Sequence, residues 1–425
     1  MLDIRRIVEE TEKVKNALLK RMKPEELDLE SIIALDSSRR EKQAKYDELR
    51  SKQKSFNDKM SQMDRKSDDF GKMIADLKEI SAQTKQLEED LRFTEEKLKS
   101  LLDVLPNIPD DDLLAGEKEN NQVLESHGIK PNFTFEVKDH VQLSADLGIV
   151  DFERAAKIGG AQMSMCVGDG ALLEWALINF FIREHIADGY TMIIPPHLLC
   201  EDSGYTAGQM PKFREDVFWT QDGNFLLPTA ETALANYYRD EIVDESILPK
   251  KFFAYTPCYR REAGSYRANE RGLMRMHQFN KVEMFQFTTP EQSDNAFDEL
   301  LHKAMNLVEK LGLHYRVSKL AAGDCSGGMA RTYDVEAYMP FMDTFYEVSS
   351  VSNARDYQAR RGNMRYRSQK DDKPRYMHTL NGSGLATSRL MVALLETYQN
   401  ADGSITVPEV LRAFVGKDKI EKATK

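Results

Sequence analysis

Apolar residues in the first quarter of the chain recur at alternating steps of three and four. One unbroken series consists of Phe70, Met73, Leu77, Ile80, Thr84, Leu87, Leu91, Thr94, Leu98 and Leu101. A weaker series precedes it and consists of Ile32, Leu35, Tyr46, Leu49, Phe56, Met60 and Met63. This spacing is that of the a and d positions of a coiled coil. Turn residues occur between the two series, from Asp64 to Gly71, so the pattern predicts two long helices folded into an antiparallel hairpin.

A break in the helical pattern follows this region. The segment LPNIPDDD, Leu105 to Asp112, combines acidic residues with prolines, which cannot continue a helix. Short helices are expected within residues 1–30, before the hairpin. A chain of 425 residues is too long for one small core. The sequence therefore predicts a helical arm at residues 1–105 and a separate domain at residues 106–425.

The second domain mixes helical and strand-like patterns. Apolar residues on nearly every side of 171–186 predict a helix that lies in a core or at a subunit interface and ends at Gly189. Other predicted elements are a strand at 190–195 ending before Pro196, a helix after Thr229, a helix at 293–311, a strand at 344–351, and a Gly-rich turn, NGSGLA, leading into a helix within 378–398. Thr229 or Thr232 is also a candidate for a simple helix cap.

The stretch from Phe252 to Gln286 predicts two antiparallel strands joined by a long loop, because aromatic and β-branched residues at its ends flank a Gly- and Arg-rich middle. The middle contains Arg260, Arg261, Arg267, Arg271, Arg275 and His277. A guanidinium can hold phosphate oxygens at two points, which favours an anion site; an exposed hairpin with scattered arginines is the alternative interpretation. Hairpin-linked strands with flanking helices predict an α+β domain built on an antiparallel sheet. Neither a P-loop nor a dinucleotide-binding glycine motif occurs.

Composition narrows the class of protein. A charged fraction of 30% and a hydrophobic fraction of 41% are typical of a globular protein, and neither a membrane span nor a signal peptide is indicated, so we expect a cytoplasmic protein without a membrane partner. The four cysteines are widely separated, which predicts reduced thiols and no zinc site. The net charge of −11 argues against general nucleic-acid binding. The first long helix nevertheless carries more basic than acidic residues. This excess indicates either a surface that binds the RNA backbone or an ordinary solvent-exposed face. Dimerisation through the coiled coil is a further alternative.

Three motifs then occur in order. Arg260, Glu262, Arg275 and Phe279 fit the pattern R-x-E, loop, R-x-x-x-F, and GSGLATSRL fits G-x-G-x-x-x-x-R. The helix ending near Gly189, followed by a strand and Pro196, fits an interface motif. Together they resemble the three signature motifs of class II aminoacyl-tRNA synthetases. The segments TAE at 229–231, AGSY, RMHQFNKVE, YEVSS and HTLNGSG, with the hairpin before LPNIP, are similar to the seryl-tRNA synthetase family within that class. The resemblance covers nearly the whole chain.

The resemblance implies a fold, a reaction and a set of site residues. The reaction has two steps: serine and ATP give seryl-adenylate and pyrophosphate, and the seryl group then passes to the terminal adenosine of the tRNA. The fold is a class II catalytic domain at 106–425 behind a tRNA-binding coiled-coil arm at 1–105. The catalytic residues implied are Arg260 on the α-phosphate of ATP and Arg389 on the γ-phosphate. The implied ATP-binding residues are Arg260, Arg261, Glu262, Arg275, Phe279, Glu347, Val348, Ser349, Ser350 and Arg389. The implied serine-binding residues are Thr229, Ala230, Glu231, Arg260, Glu283 and Ser383. Glu347 and Ser350 are implied as Mg²⁺ ligands.

The resemblance also implies partners. These are L-serine, ATP, tRNA(Ser) and a second copy of the chain, and tRNA(Sec) is left open as a further acceptor. Two alternatives remain at this stage: a paralogue that loads an amino acid onto a carrier protein, and an inactive RNA-binding scaffold. The intact arm disfavours the first, and the intact arginines and serine-pocket residues disfavour the second.

Overall fold

A computed structural model describes residues 1–262 and 271–422 of the chain. The AGSY segment and Arg267 of the predicted site lie outside the described residues. The chain divides into two compact units, Met1–Pro106 and Asn107–Lys425. Among the described residues, no helix has both the length and the apolar content that crossing a bilayer requires.

The first unit is helical. Its helices are α1 Ile4–Glu9, α2 Thr11–Leu18, α3 Leu29–Met60 and α4 Asp68–Val104. The side chain of Asp28 caps α3 by accepting the backbone N–H of Ser31, and Ser67 caps α4 by accepting that of Phe70. The cap at Ser67 explains why the turn ends before Gly71, the last residue of the predicted turn.

Helices α3 and α4 pack against each other along the predicted seam. On α4 the buried residues are Thr84, Leu91, Thr94, Leu98 and Leu102. The predicted seam is correct except at its end, where Leu102 is buried and Leu101 is half-buried. Polar seam residues are paired: Lys42 Nζ donates to Thr94 Oγ1 across the hairpin at 2.7 Å. The hairpin thus satisfies its polar positions internally.

The second unit contains all the strands of the described chain. They are β1 Gln122–His127, β2 Thr191–Met192, β3 Leu198–Leu199, β4 Phe225–Leu226, β5 Ile242–Asp244, β6 Lys250–Tyr259, β7 Gln278–Thr288, β8 Tyr315–Lys319, β9 Arg331–Met339, β10 Thr344–Arg355, β11 Arg365–Arg367, β12 Pro374–Tyr376, β13 His378–Ala386, β14 Ile405–Thr406 and β15 Lys419–Ile420. Eight form one sheet in the order β1-β8-β9-β10-β13-β7-β6-β2, antiparallel except at the β2–β6 pair. The predicted α+β fold with an antiparallel sheet is confirmed.

Nine helices of the described second unit flank these strands. They are α5 His140–Leu147, α6 Phe152–Gly159, α7 Asp169–Ala187, α8 Glu201–Thr206, α9 Ala230–Leu234, α10 Ser293–Lys310, α11 Tyr357–Arg361, α12 Thr387–Thr397 and α13 Glu409–Val415. Side chains alternate between the two faces of a strand, so on β7 Val282 and Met284 join the apolar core with α10, whereas Lys281 and Glu283 belong to the opposite face. That opposite face carries the polar residues described below.

The segment NGSGLA is a strand, and its prediction as a turn is wrong. It forms the end of β13, with one extra residue relative to β7 between Ser383 and Ala386. Gly384 is needed there for space, because a Cβ at this position would collide with the imidazole of His185, whose Nε2 lies 3.2 Å from the Gly384 carbonyl oxygen. The glycines therefore allow close packing within a sheet.

Candidate active site

The β6–β7 hairpin predicted from the sequence is present. Its strands pair without interruption from Lys250↔Phe287 to Tyr259↔Gln278, which places Cys258 opposite Phe279. Arg260 follows β6 directly. Its guanidinium lies over the Phe279 ring at 5.2 Å, and its Nε donates to the Pro228 carbonyl at 3.2 Å. Stacking and hydrogen bonding together hold this cation at the end of the hairpin.

The other hairpin arginines have different environments. Arg275 Nη1 lies 3.2 Å from Glu262 Oε2, so the glutamate of the predicted R-x-E pattern contacts the arginine of the R-x-x-x-F pattern. Arg271 instead pairs with the buried carboxylate of Asp139 on the neighbouring segment. The side chain of Arg261 is exposed. The arginine cluster therefore combines site residues with at least one structural ion pair.

Arg389, in the first turn of α12, connects the hairpin to β10. Its Nη1 donates to the Glu347 carbonyl at 3.0 Å and to Glu347 Oε2 at 3.2 Å, and its Nε donates to the Met274 carbonyl at 3.3 Å. These three bonds fix the guanidinium beside the acidic end of β10. A cation in this place can neutralise phosphate charge with little rearrangement.

A β-bulge in β10 orients Glu347 and Ser350. Residues three apart on a regular strand face opposite sides of a sheet. Here Glu347 pairs with Glu336 and Ser350 pairs with Asp334, so one extra residue on β10 between Glu347 and Ser349 brings Glu347 and Ser350 to one face. The side chains of Val348 and Ser349 are buried, and Ser349 Oγ donates to the Ser383 carbonyl at 2.7 Å.

Glu347 and Ser350 suit a magnesium ion that is held largely by substrate. Mg²⁺ prefers oxygen ligands and usually takes one or two protein carboxylates together with substrate phosphates. Asp334 pairs with Ser350 on the neighbouring strand. Burial, and then the Glu347 carboxylate, raise the pKa of Asp334 well above its usual value, which favours the uncharged form and leaves Glu347 as the carboxylate available to a cation. Within the described part of the chain, no group of three or more His, Cys, Asp or Glu side chains is arranged around a metal position.

A buried polar pocket lies on the same sheet face. Glu283 on β7 is completely buried: its Oε1 accepts from Asn381 Nδ2 at 3.2 Å, and its Oε2 accepts from Ser383 Oγ at 3.4 Å. Lys281 Nζ lies 2.5 Å from the same Oε2 and donates to Thr229 Oγ1 at 2.7 Å. One ammonium thus joins two of the predicted serine-binding residues.

The N-terminus of α9 supplies the other wall of the pocket. Thr229 is the N-cap of α9, accepting from the Glu231 backbone N–H at 3.3 Å, and Ala230 is fully buried. Glu231 Oε1 accepts from Gln358 Nε2 at 2.8 Å. Burial, reinforced by the Glu283 carboxylate, raises the pKa of Glu231 to about 7. Thr229 thus caps α9 and also accepts from Lys281 Nζ, so a capping role does not keep its hydroxyl away from the pocket.

Lys281, Gln358 and Asn381 were not among the predicted site residues. Lys281 carried a signal, because it lies two residues from both Phe279 and Glu283 on a predicted strand and therefore shares their face. Gln358 gave no such signal. Its amide also donates to the Ala207 carbonyl at 3.0 Å, and its Oε1 accepts from Thr379 Oγ1 at 2.7 Å, contacts that connect segments far apart in the sequence.

Three features together define a class II aminoacyl-tRNA synthetase core: the antiparallel sheet, the arginines that pair with Glu262 and Glu347, and the adjoining polar pocket. A family model for the tRNA synthetase class II core domain (G, H, P, S and T) matches residues 218–398, and one for the seryl-tRNA synthetase N-terminal domain matches residues 1–109. The chain is 53% identical to Serine--tRNA ligase 2 of Clostridium acetobutylicum, over 99% of this chain and 100% of that protein. The chain belongs to the seryl-tRNA synthetase family.

Solved structures agree with this assignment. The crystal structure of seryl-tRNA synthetase from Pyrococcus horikoshii complexed with ATP superposes with a TM-score of 0.93 at 33% identity, covering 100% of both chains. The cytoplasmic serine-tRNA ligase from Naegleria fowleri, solved in complex with AMP, gives a TM-score of 0.86 at 27% identity, covering 100% of this chain and 99% of that one. The likeness extends over the whole chain and is not restricted to one domain.

Proposed function

We propose that this chain activates L-serine with ATP and transfers the seryl group to the 3′ end of tRNA(Ser). In the first step a serine carboxylate oxygen attacks the α-phosphorus, and the bond to pyrophosphate breaks. In the second step a hydroxyl of the terminal adenosine attacks the seryl carbonyl, and AMP leaves. The observation that carries the proposal is the buried pocket of Glu283, Lys281, Thr229 and Glu231, which lies on the same sheet face as the phosphate arginines.

The residues around the proposed ATP site act by alignment and charge neutralisation. The serine carboxylate is already ionised at neutral pH, so its attack requires orientation more than a general base. Arg260 would hold the α-phosphate and Arg389 the γ-phosphate, while Glu262 and Phe279 would recognise and stack on adenine. Mg²⁺ held by Glu347 and Ser350 would supply further positive charge to the phosphates when bound.

The pocket residues account for recognition of a small polar amino acid. Glu231 would bind the substrate ammonium. Glu283 would accept a hydrogen bond from the substrate hydroxyl, and Ser383 would donate a hydrogen bond to that hydroxyl or accept one from it. Alanine lacks that hydroxyl and would leave a buried acceptor unpaired, at a cost of about 1–3 kcal/mol. Lys281 would hold Glu283 in its binding conformation.

Serine binding is expected to weaken below neutral pH. Because the pKa of Glu231 is raised to about 7, lower pH adds a proton and removes the negative charge that attracts the ammonium. The KM for serine should rise by roughly tenfold per pH unit below this value and level off above it. In the Glu231→Gln variant this pH dependence should vanish, because the side chain no longer titrates. A wild-type KM for serine that stays constant down to about pH 5.5 would contradict the proposed role.

The decisive test of the function is amino-acid-dependent ATP–pyrophosphate exchange with each of the standard amino acids, followed by charging of tRNA(Ser). Exchange with serine together with tRNA charging is the expected result. Exchange without tRNA charging would favour a carrier-protein acceptor. The absence of exchange with every amino acid would favour an RNA-binding scaffold.

We further propose that the α3–α4 hairpin binds tRNA through its basic side chains. Lys45, Lys52 and Lys59 on α3 are exposed and lie seven residues apart, so they share one face of the helix, and a basic helix face can follow a phosphate backbone. Reversing all three to glutamate should reduce tRNA charging about tenfold or more and flatten its salt dependence, while leaving pyrophosphate exchange unchanged. Matched reversal of the acidic residues Glu88 and Glu89 on α4 is the control. Unchanged charging in the lysine variant would exclude this face as the contact surface.

The chain is also proposed to form a homodimer. Helix α7 and the segment after it expose large apolar side chains, namely Leu172, Trp175, Ile186 and Ile194. Exposed apolar side chains that are concentrated on neighbouring segments in this way are typical of an interface. Cytoplasmic location and the use of tRNA(Sec) as a second acceptor stay predictions from the sequence.

A further inference from the structure

A buried chain of hydrogen bonds connects α12, through His140, to Leu273 in the segment that precedes β7. His140 and Glu396 are both almost completely buried, at 3% and 0% exposure. Glu396 Oε1 lies 3.3 Å from His140 Nδ1 and accepts the His140 backbone N–H at 3.2 Å, and Glu396 Oε2 accepts the Phe341 N–H at 3.0 Å. On the other side of the ring, the Leu273 backbone N–H donates to His140 Nε2 at 3.2 Å.

These partners define the state of the imidazole. A backbone N–H can only donate, so Nε2 of His140 must be the acceptor, and the ring hydrogen must be on Nδ1, where it donates to Glu396. The carboxylate thus fixes both the tautomer and the orientation of the ring. The ring in turn fixes Leu273.

The segment held in this way, Arg271–Arg275, carries contacts of the proposed ATP site. The Met274 carbonyl accepts from Arg389 Nε at 3.3 Å, and the next residue, Arg275, pairs with Glu262 at 3.2 Å. The fit to His140 is close: Gly272 has φ +65°, and a Cβ there would collide with the His140 ring. Helix α12 therefore contacts the segment twice, directly through Arg389 near its N-terminus and through His140 by way of Glu396 near its C-terminus.

We propose that His140, oriented by Glu396, is a positioning residue that holds residues 271–275 so that Arg275 and Arg389 are preset for ATP. The inference rests on the proposed function, because it takes these two arginines as ATP ligands. The serine pocket is supported by other contacts, through Gln358, Asn381 and Ser383. Loss of the His140 contact should therefore affect ATP and leave serine binding unchanged.

Two substitutions of His140 test the contacts of its two ring nitrogens separately. His140→Asn places an amide nitrogen near the Nδ1 position, so it can still donate to Glu396 but is too short to accept from Leu273. His140→Gln places its carbonyl oxygen near the Nε2 position and restores the acceptor for Leu273. We expect His140→Asn to raise the KM for ATP about tenfold in pyrophosphate exchange with an unchanged KM for serine, and His140→Gln to restore most of the loss.

Controls distinguish positioning from general destabilisation. Lys303→Met removes an ion pair with Asp188 elsewhere in the unit. This variant should leave the KM for ATP unchanged even if its melting temperature falls as much as that of His140→Asn. If His140→Asn does not fold, Gly272→Ala, whose added methyl group would collide with the His140 ring and push the segment away from it, should give the same ATP-selective effect. Equal changes in both KM values, or a His140→Gln variant no better than His140→Asn, would overturn the proposal. If the wild type exchanges no amino acid, the proposed function fails, and calorimetric ATP binding by the same variants still tests the positioning role.

Discussion

Replacing Glu283 by alanine is expected to lower kcat/KM for serine in pyrophosphate exchange by at least about a hundredfold. Three polar groups depend on this carboxylate: Lys281 Nζ at 2.5 Å, Asn381 Nδ2 at 3.2 Å and Ser383 Oγ at 3.4 Å. Its removal deletes the proposed partner of the serine hydroxyl and leaves the Lys281 ammonium buried beside an apolar methyl group. The measurement is exchange with serine at saturating ATP.

Because an unpaired buried ammonium also destabilises the fold, Glu283→Gln serves as the matched variant. It keeps the size of the side chain and one acceptor oxygen, so the fold should be retained and serine activation should still fall. Glu299→Gln, which weakens the half-buried pair with Lys251, controls for the loss of a carboxylate outside the site. Normal adenylate formation by a correctly folded Glu283→Ala protein would refute the serine-binding role.

Replacing Arg260 by lysine should reduce the maximal rate of exchange by about a hundredfold or more while serine binding changes little. Lysine keeps the positive charge but has no planar fork, so it cannot both donate to the Pro228 carbonyl and grip phosphate oxygens while stacking over Phe279. The effect should appear in kcat, because the α-phosphate gains charge in the transition state. Single-turnover measurement of adenylate formation tests this directly.

The matched control for Arg260 is Arg154→Lys. Arg154 lies on α6 in an exposed pair with Asp151, and the same exchange of residue type should leave the rate unchanged there. An Arg260→Lys enzyme with the wild-type rate would show that charge alone is sufficient at this position. The geometry of the guanidinium would then have no part in catalysis.

Local patterns predicted the elements that depend on local chemistry. The seam of α4 follows from steps of three and four, and the β6–β7 hairpin follows from aromatic strand ends around a loop of glycine and arginine. Each pattern involves neighbours in sequence. The site residues named from family motifs, such as Arg260 and Glu283, lie on or directly beside these elements, so their positions follow from the same local patterns.

What the sequence did not reveal depends on contacts between distant segments. Glu347 and Ser350 face the same side because of a register shift against β9, and nothing in YEVSS itself indicates that bulge. Gly384 looked like a turn residue because glycine is frequent in turns, whereas its actual requirement is space for His185. Gln358 reaches Glu231 only through the three-dimensional fold.

The two buried carboxylates of the pocket have unlike neighbours, and this has a consequence for which molecules can bind. Glu283 has the ammonium of Lys281 at 2.5 Å, whereas Glu231 is hydrogen-bonded by the neutral amide of Gln358. Under the proposed function, the cation that pairs with Glu231 arrives with the substrate. A hydroxy acid of the same size and shape as serine brings no cation, and it would have to bind beside a buried charge that it cannot compensate. Under the proposed function, the folded protein would therefore discriminate between amino acids and hydroxy acids through Glu231.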